Sequence, residues 1–248
     1  MLLGEPPSTQ ADLNFRVLGF PVRVHPFFWI VVALLGMNMP DARALVLWVA
    51  AVFLGVLVHE LGHAVVMRWN GFYPSITLYG LGGLASYGPG ANAERSLTPW
   101  RQIGISLAGP GAGFLLAAVV CAGLVLSGTG LVVSWGLPLG LNVSPAAQIG
   151  GPLFTLFIDL ILFVTVAYGI LNLMPIYPLD GGQVARELFL MAMPRDGIRH
   201  SLILSMIAAG GIAVLGLTRG SFFLGILFGY LALGSYNTLQ RYQSHRPW

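Results

Sequence analysis

The 248-residue chain contains no lysine, one cysteine and few charges of either sign. Charged residues make up 8% of it and hydrophobic residues 56%, whereas a soluble domain carries about 25% charged residues. That balance excludes an ordinary soluble domain and points to a polytopic membrane protein. A lone cysteine excludes an internal disulfide, and Cys121 lies in an apolar run, where it reads as a small buried hydrophobe rather than a reactive thiol. All 12 basic residues are arginine and they are scattered, so the net charge of +3 builds no nucleic-acid surface and no such partner is expected. Residues 1–10 lack a basic stretch followed by an apolar core, so no cleavable signal peptide is expected, and the first span serves as the insertion signal. Domain-length charged stretches, heptads, low-complexity tails and internal repeats are also missing, so residues 1–248 read as one membrane domain.

What is present is a series of long apolar runs. They predict an all-α polytopic fold of about six transmembrane helices, over residues 26–39, 42–69, 101–127, 152–174, 200–217 and 222–239. Two segments break the helical pattern. Asn14 to His25 alternates loosely around Gly19-Phe20-Pro21 and reads as a short N-terminal β arm. Gly71 to Gly90 sets Ile76, Leu78 and Leu81 among small and polar residues and reads as a re-entrant β-hairpin or extended loop, with an ordinary interfacial loop as the alternative. Gly128 to Gly151 is expected to be a loop, and Gly182 to Met193 a short amphipathic helix.

Arginine placement sets the expected orientation. With six spans both termini share a side, and that side collects Arg16, Arg23, Arg68, Arg95, Arg101, Arg186, Arg195, Arg199, Arg241 and Arg246. Only Arg43 and Arg219 fall on the other. Both termini are therefore expected to be cytoplasmic. Trp48, Trp69, Trp100 and Trp135 are candidate interfacial anchors. The pairs Gly109/Gly113 and Gly225/Gly229 permit close helix contact, within one chain or in a homodimer.

The second run ends in His59-Glu60-Leu61-Gly62-His63. On a helix residues four apart share a face, so the two imidazoles can grip one ion while Glu60 reaches a water on it. Arg68 marks the cytoplasmic end of this span, which places His59 roughly 13 Å inside a hydrocarbon core of about 30 Å. Three ionisable groups buried in a span are costly unless they perform a function.

A catalytic zinc needs a third protein ligand. Asp180 is the candidate, in the string Asn172-Leu-Met-Pro-Ile-Tyr-Pro-Leu-Asp180-Gly-Gly that ends the fourth span on the same side. Pro175 and Pro178 stop the helix, and Gly181-Gly182 allow a turn that swings a carboxylate inward. A cap on the following helix is the plainer reading of Asp180 alone. Asn172 has two open readings, an oxyanion donor or an interhelical hydrogen bond. His25 is a rival third ligand if the arm folds back, with an interfacial role favoured. Asp159 lies 13 residues before Asn172, roughly 20 Å away along the helix, too far to join the ion.

HELGH in a span, Leu81-Gly-Gly-Leu-Ala-Ser after it, Ala108-Gly-Pro-Gly, and Asn172…Pro-Leu-Asp180-Gly-Gly together resemble the site-2 protease family of intramembrane zinc metalloproteases. The resemblance covers nearly the whole chain. It implies one zinc ion ligated by His59, His63 and Asp180, with Glu60 as general base and Asn172 assisting. It further implies cleavage of membrane-spanning protein substrates in or near the bilayer. By strand addition, the edge of the 71–90 segment is expected to pair with the unwound substrate, with Ile76 and Leu78 as the positions that test it. Many relatives carry PDZ or CBS domains, and this chain is expected to be a compact form with neither, in a prokaryotic cell membrane. The competing readings are a metal-binding transporter, which would spread polar groups over several spans, and an inactive scaffold for transmembrane partners, which would have lost Glu60 or a ligand.

Overall fold

The computed structural model describes residues 6–80, 82–87, 98–136 and 140–244. Leu81, Arg95 and Arg246, and the 88–90 end of the expected hairpin, lie outside that set, as does the side chain of Trp135. In chain order the elements are β1 (Leu13–Val17), β2 (Phe20–Val24), α1 (Pro26–Leu35), α2 (Ala42–Trp69), β3 (Pro74–Tyr79), β4 (Gly82–Tyr87) and α3 (Pro99–Leu126). Then follow β5 (Leu131–Gly136), β6 (Gly140–Pro145), α4 (Pro152–Asn172), α5 (Asp180–Ala192), α6 (Gly197–Thr218) and α7 (Phe222–Ser244). The chain divides into two compact units, Met1–Ser96 with Ala108–Gly169, and Leu97–Leu107 with Ile170–Trp248.

Among the described residues five helices, α2, α3, α4, α6 and α7, are long and apolar enough to cross a membrane. The expected span over 26–39 is instead the ten-residue α1, about 15 Å long and half a hydrocarbon core. The apolar run continues past the point where the helix stops, because at Gly36 the chain turns back. A Cβ there would collide with the Trp48 ring, and the Trp48 indole N–H donates to Val32 O at 2.9 Å. Trp48 is thus a packing residue between α1 and α2 rather than an interfacial anchor. Trp69 and Trp100 are exposed, as anchors require.

In the first unit the arm and the hairpin merge into one sheet, ordered β1-β2-β3-β4. β1 and β2 are antiparallel, β2 and β3 parallel (Val22 opposite Ile76, Val24 opposite Leu78), and β3 and β4 antiparallel. The β1–β2 turn places Leu18 and Gly19 at positive φ, which suits a two-residue hairpin. Arg68, in the last turn of α2, donates to Leu18 O and covers the Phe20 ring at 3.7 Å, pinning this turn to the helix end. Alternation does the rest. Val22, Val24, Ile76 and Leu78 face inward and pack with Val56, Leu57 and Ala64 of α2, while Arg16, Arg23 and Ser75 lie on the other face. Arg23 pairs with Asp12 at 3.1 Å on that face.

The Gly128–Gly151 stretch, expected to be a loop, contains a second hairpin, β5 with β6 in antiparallel register. Its glycines and prolines obscured the short Leu131–Ser134 and Leu141–Ser144 alternations. The second unit holds α5, α6 and α7. Ile176 packs there with Ala209 and Ala213 of α6 and Phe228 of α7. Gly225 lies against Leu217, whereas Gly229 faces open space, so only the first of that expected pair is a close-contact position.

Candidate metal centre

His59, Glu60 and His63 occupy the C-terminal half of α2, and each is less than a tenth exposed. The helical spacing turns both rings the same way, with Nε2 of His59 and Nε2 of His63 3.1 Å apart. A tetrahedral zinc with arms of about 2.0–2.1 Å separates two ligand nitrogens by roughly 3.3 Å, so this pair has the bite an ion needs. The space beside the nitrogens is kept open by a missing side chain. A Cβ on Gly109 of α3 would overlap Nε2 of His63 and stand 2.7 Å from Nε2 of His59. The donor chemistry and the vacant wall both fit a zinc ion.

Two further elements of the first unit close around the motif. Gly83 of β4 lies against Glu60, since a Cβ there would be 2.6 Å from both Cδ and Oε1 of its side chain. Tyr168 of α4 packs its ring edge-on against His59, with centroids 4.8 Å apart, and its hydroxyl reaches toward Gly82. Gly62 allows the close approach of α2 to α3, because any Cβ would strike the Ala108 carbonyl.

In the second unit Asn172 is the last residue of α4 and is buried. Asp180 is the first residue inside α5. The cap position belongs to Leu179, so the plain capping role does not apply. The two following glycines are buried against backbone. A Cβ on Gly182 would stand 2.5 Å from the carbonyl of Ile176, and one on Gly181 would overlap the carbonyl of Leu173. Only glycine lets the 173–179 segment fold back over the start of α5.

The other polar residues singled out in the sequence stand apart from this centre. His25 caps α1, its Nδ1 accepting from the Phe27 N–H at 3.1 Å. Asp159 lines an open cleft with Ser144, Gln148 and Thr155, and among the described residues its buried Oδ1 has no hydrogen-bond partner. Cys121 is half-buried.

Residues 47–217 match the profile of Peptidase family M50. The chain belongs to that family. The resemblance read from the four motifs is thereby borne out for this M50 chain. It is 28% identical over 243 residues to a Synechocystis sp. protein provisionally named a zinc metalloprotease, covering 91% of this chain and 56% of that protein. It is also 26% identical over 179 residues to a zinc metalloprotease of Methanocaldococcus jannaschii, covering 70% and 44%. The chain thus spans about half the length of the curated relatives it matches. In fold it is similar to the site-2 protease structure from M. jannaschii, with TM-score 0.57, 20% identity, and coverage of 92% of this chain and 95% of the other.

Three residues of this M50 chain lie at the centre without the sequence assigning them a place there. Gly109 was read only as a helix-packing residue. Tyr168 carried a usable signal, since it lies one helical turn before Asn172. Gly83 belongs to the Leu81-Gly-Gly-Leu-Ala-Ser motif but has no role there, because its proximity to Glu60 comes from the strand's position rather than from local spacing.

Proposed function

We propose that this chain is a zinc-dependent endopeptidase acting on membrane-spanning protein substrates. His59, His63 and Asp180 would ligate one ion, Glu60 would act as general base and Asn172 as an oxyanion or backbone donor. The observation that carries the reading is the buried imidazole pair at 3.1 Å, facing the bare wall of Gly109 with Glu60 on the same helical turn. Support for the third ligand is that the buried Gly181-Gly182 turn carries Asp180 at the start of α5, where its carboxylate is not used as the helix cap.

When bound, zinc supplies Lewis acidity, bringing a water's pKa toward about 7 and polarising a carbonyl. Glu60 takes the proton of the attacking water and returns it to the leaving amine. Burial strengthens these charge interactions, because little water competes with them. The Asn172 amide donates to charge developing on the scissile carbonyl oxygen.

The substrate reaches the centre as an extended segment, since a helix hides its carbonyls in its own hydrogen bonds. The receiving edge is β4, not β3. Ile76 and Leu78 are fully buried in an inner strand, whereas β4 ends the sheet among the described residues, and Gly83 brings it against Glu60. A strand added there lies about 4.8 Å from β4. Successive residues of a strand direct their N–H groups to opposite edges, so one of Leu84→Pro and Ala85→Pro removes a donor from the free edge. We expect one of these two variants to lose at least tenfold in cleavage while keeping its zinc. Equal cleavage by wild type and both variants, measured beside metal content, removes the strand-addition step.

Both termini are cytoplasmic in this reading. β2 lies parallel to β3, which doubles back along α2 from its Arg68 end. Laid end to end, the five residues of β2 and the ten of α1 would reach roughly 31 Å, the length a first crossing needs. Its strand portion is tolerable in the membrane because neighbouring strands pair its backbone.

The test of the whole reading is metal removal. Protein in lipid nanodiscs is stripped with a chelator and offered a single-span fluorescent substrate, then reloaded with stoichiometric zinc. Cleavage should fall to background and return. Undiminished cleavage by metal-free protein would defeat the proposal.

A further inference from the structure

Asp180 is carried by a segment whose anchorage is visible within the second unit. Met174, Ile176 and Leu179 donate their N–H groups to carbonyls of Leu171, Met174 and Ile176, so these bonds stay local. Pro175 and Pro178 have no N–H. Tyr177 is different. Its N–H donates to Oγ of Ser205 in α6 at 2.7 Å, and its carbonyl accepts from Oγ of Ser235 in α7 at 3.4 Å. The two hydroxyl oxygens are themselves 2.7 Å apart. Both serines are almost fully buried, at 1% and 0% exposure.

The directions of these bonds follow from counting hydrogens. Ser235 has one hydroxyl hydrogen, and it is used on the Tyr177 carbonyl. With Ser235 donating to the Tyr177 carbonyl, Ser205 donates the bond between the serines while its oxygen accepts from the Tyr177 N–H. The result is a closed ring: Tyr177 N–H to Ser205, Ser205 to Ser235, Ser235 to Tyr177 O. Each hydroxyl donates once and accepts once. A hydrogen-bonded ring built on two buried hydroxyls holds a peptide group more firmly than separate bonds do. Asp180 follows three residues later, across Pro178 with its fixed φ.

We propose that Ser205 and Ser235 are positioning residues for the metal centre. By gripping both polar groups of Tyr177 from two helices, they set where Asp180 presents its carboxylate. This rests on the reading of Asp180 as a zinc ligand. Residues that orient a ligand without touching the metal typically change its affinity by about 10- to 100-fold when removed.

The test uses the full chain in detergent, loaded with cobalt as a spectroscopic stand-in for zinc and titrated against a competing chelator. Ser205→Ala and Ser235→Ala should each weaken metal binding about tenfold or more and shift the visible cobalt bands. Ser235→Thr, which keeps the hydroxyl, should restore the wild-type bands. Ala209→Gly, which loosens the packing of α6 without removing a hydroxyl, serves as the stability control and should leave the bands in place. Unchanged bands and affinity in both alanine variants, or an equal change in Ala209→Gly at matched thermal stability, overturn the positioning role. Asp180→Asn separates the two claims. If it leaves the cobalt bands unaltered, the ligand reading itself fails; if it alters them while the serine variants do not, only the positioning role falls.

Discussion

Glu60→Gln is expected to abolish cleavage while leaving the zinc content at the wild-type value. Glutamine keeps the size and the hydrogen-bonding ability of the side chain but cannot take up a proton at neutral pH. Loss of a positioned general base costs about 10²- to 10⁴-fold in rate, and the lower end of that range is already measurable in a single-span substrate assay. Folding should survive, because the substitution removes a charge from a buried position and leaves the neighbouring atoms in place. His59→Ala and His63→Ala should behave differently, losing zinc and activity together. Should Glu60→Gln cleave at the wild-type rate with zinc bound, the base lies elsewhere.

The second large effect is expected from a single methyl group. Gly109→Ala adds a Cβ that overlaps Nε2 of His63 and approaches Nε2 of His59 to 2.7 Å. Whichever way the rings turn to escape it, their nitrogens no longer converge. Zinc content should fall to a small fraction of wild type, and cleavage with it. Helix destabilisation is not an explanation, because alanine is favoured over glycine in a helix interior by about 1 kcal/mol. Two neighbours on α3 provide controls. A Cβ on Gly111 meets nothing within 4 Å, and one on Gly113 meets only the Thr165 carbonyl at an ordinary 3.5 Å. Gly111→Ala and Gly113→Ala should bind zinc normally. Full zinc occupancy in Gly109→Ala would mean that the space beside the imidazoles is not where the ion sits.

The two experiments probe different parts of the centre. One removes a proton acceptor and spares the ion, and the other removes the ion and spares the acceptor. Their zinc measurements should therefore diverge while their activities fall together, a pattern that general misfolding does not produce.

Much of this centre could be read along the chain because its decisive relations are local. The i, i+4 spacing of His59 and His63 puts two rings on one helical face in any α-helix, and Glu60 is adjacent to the first. The proline and glycine pattern around Asp180 dictates a helix stop and a tight turn wherever the segment lies. Long apolar runs dictate α2, α3, α4, α6 and α7, because an unpaired backbone cannot remain in hydrocarbon.

Relations between distant segments followed a different course. Ile76 and Leu78 have a strand's alternation, but the alternation does not say whether the strand is an edge. β3 pairs with β2 on one side and β4 on the other, which places Ile76 and Leu78 in the core rather than at an edge. Hydropathy extended the first span beyond Leu35, and the packing of Trp48 against Gly36 shortened it.

The amino-acid order alone thus determines the metal-binding face of α2, the membrane-crossing helices and the turn that carries Asp180, since each depends on residues within a few positions of one another. Tertiary packing alone decides that Gly109 leaves open the space beside the imidazoles, that Gly83 brings β4 against Glu60, and that Ser205 and Ser235 close on Tyr177. Those contacts join residues 23 to 58 positions apart, and no local periodicity encodes a distance that exists only once the helices have packed.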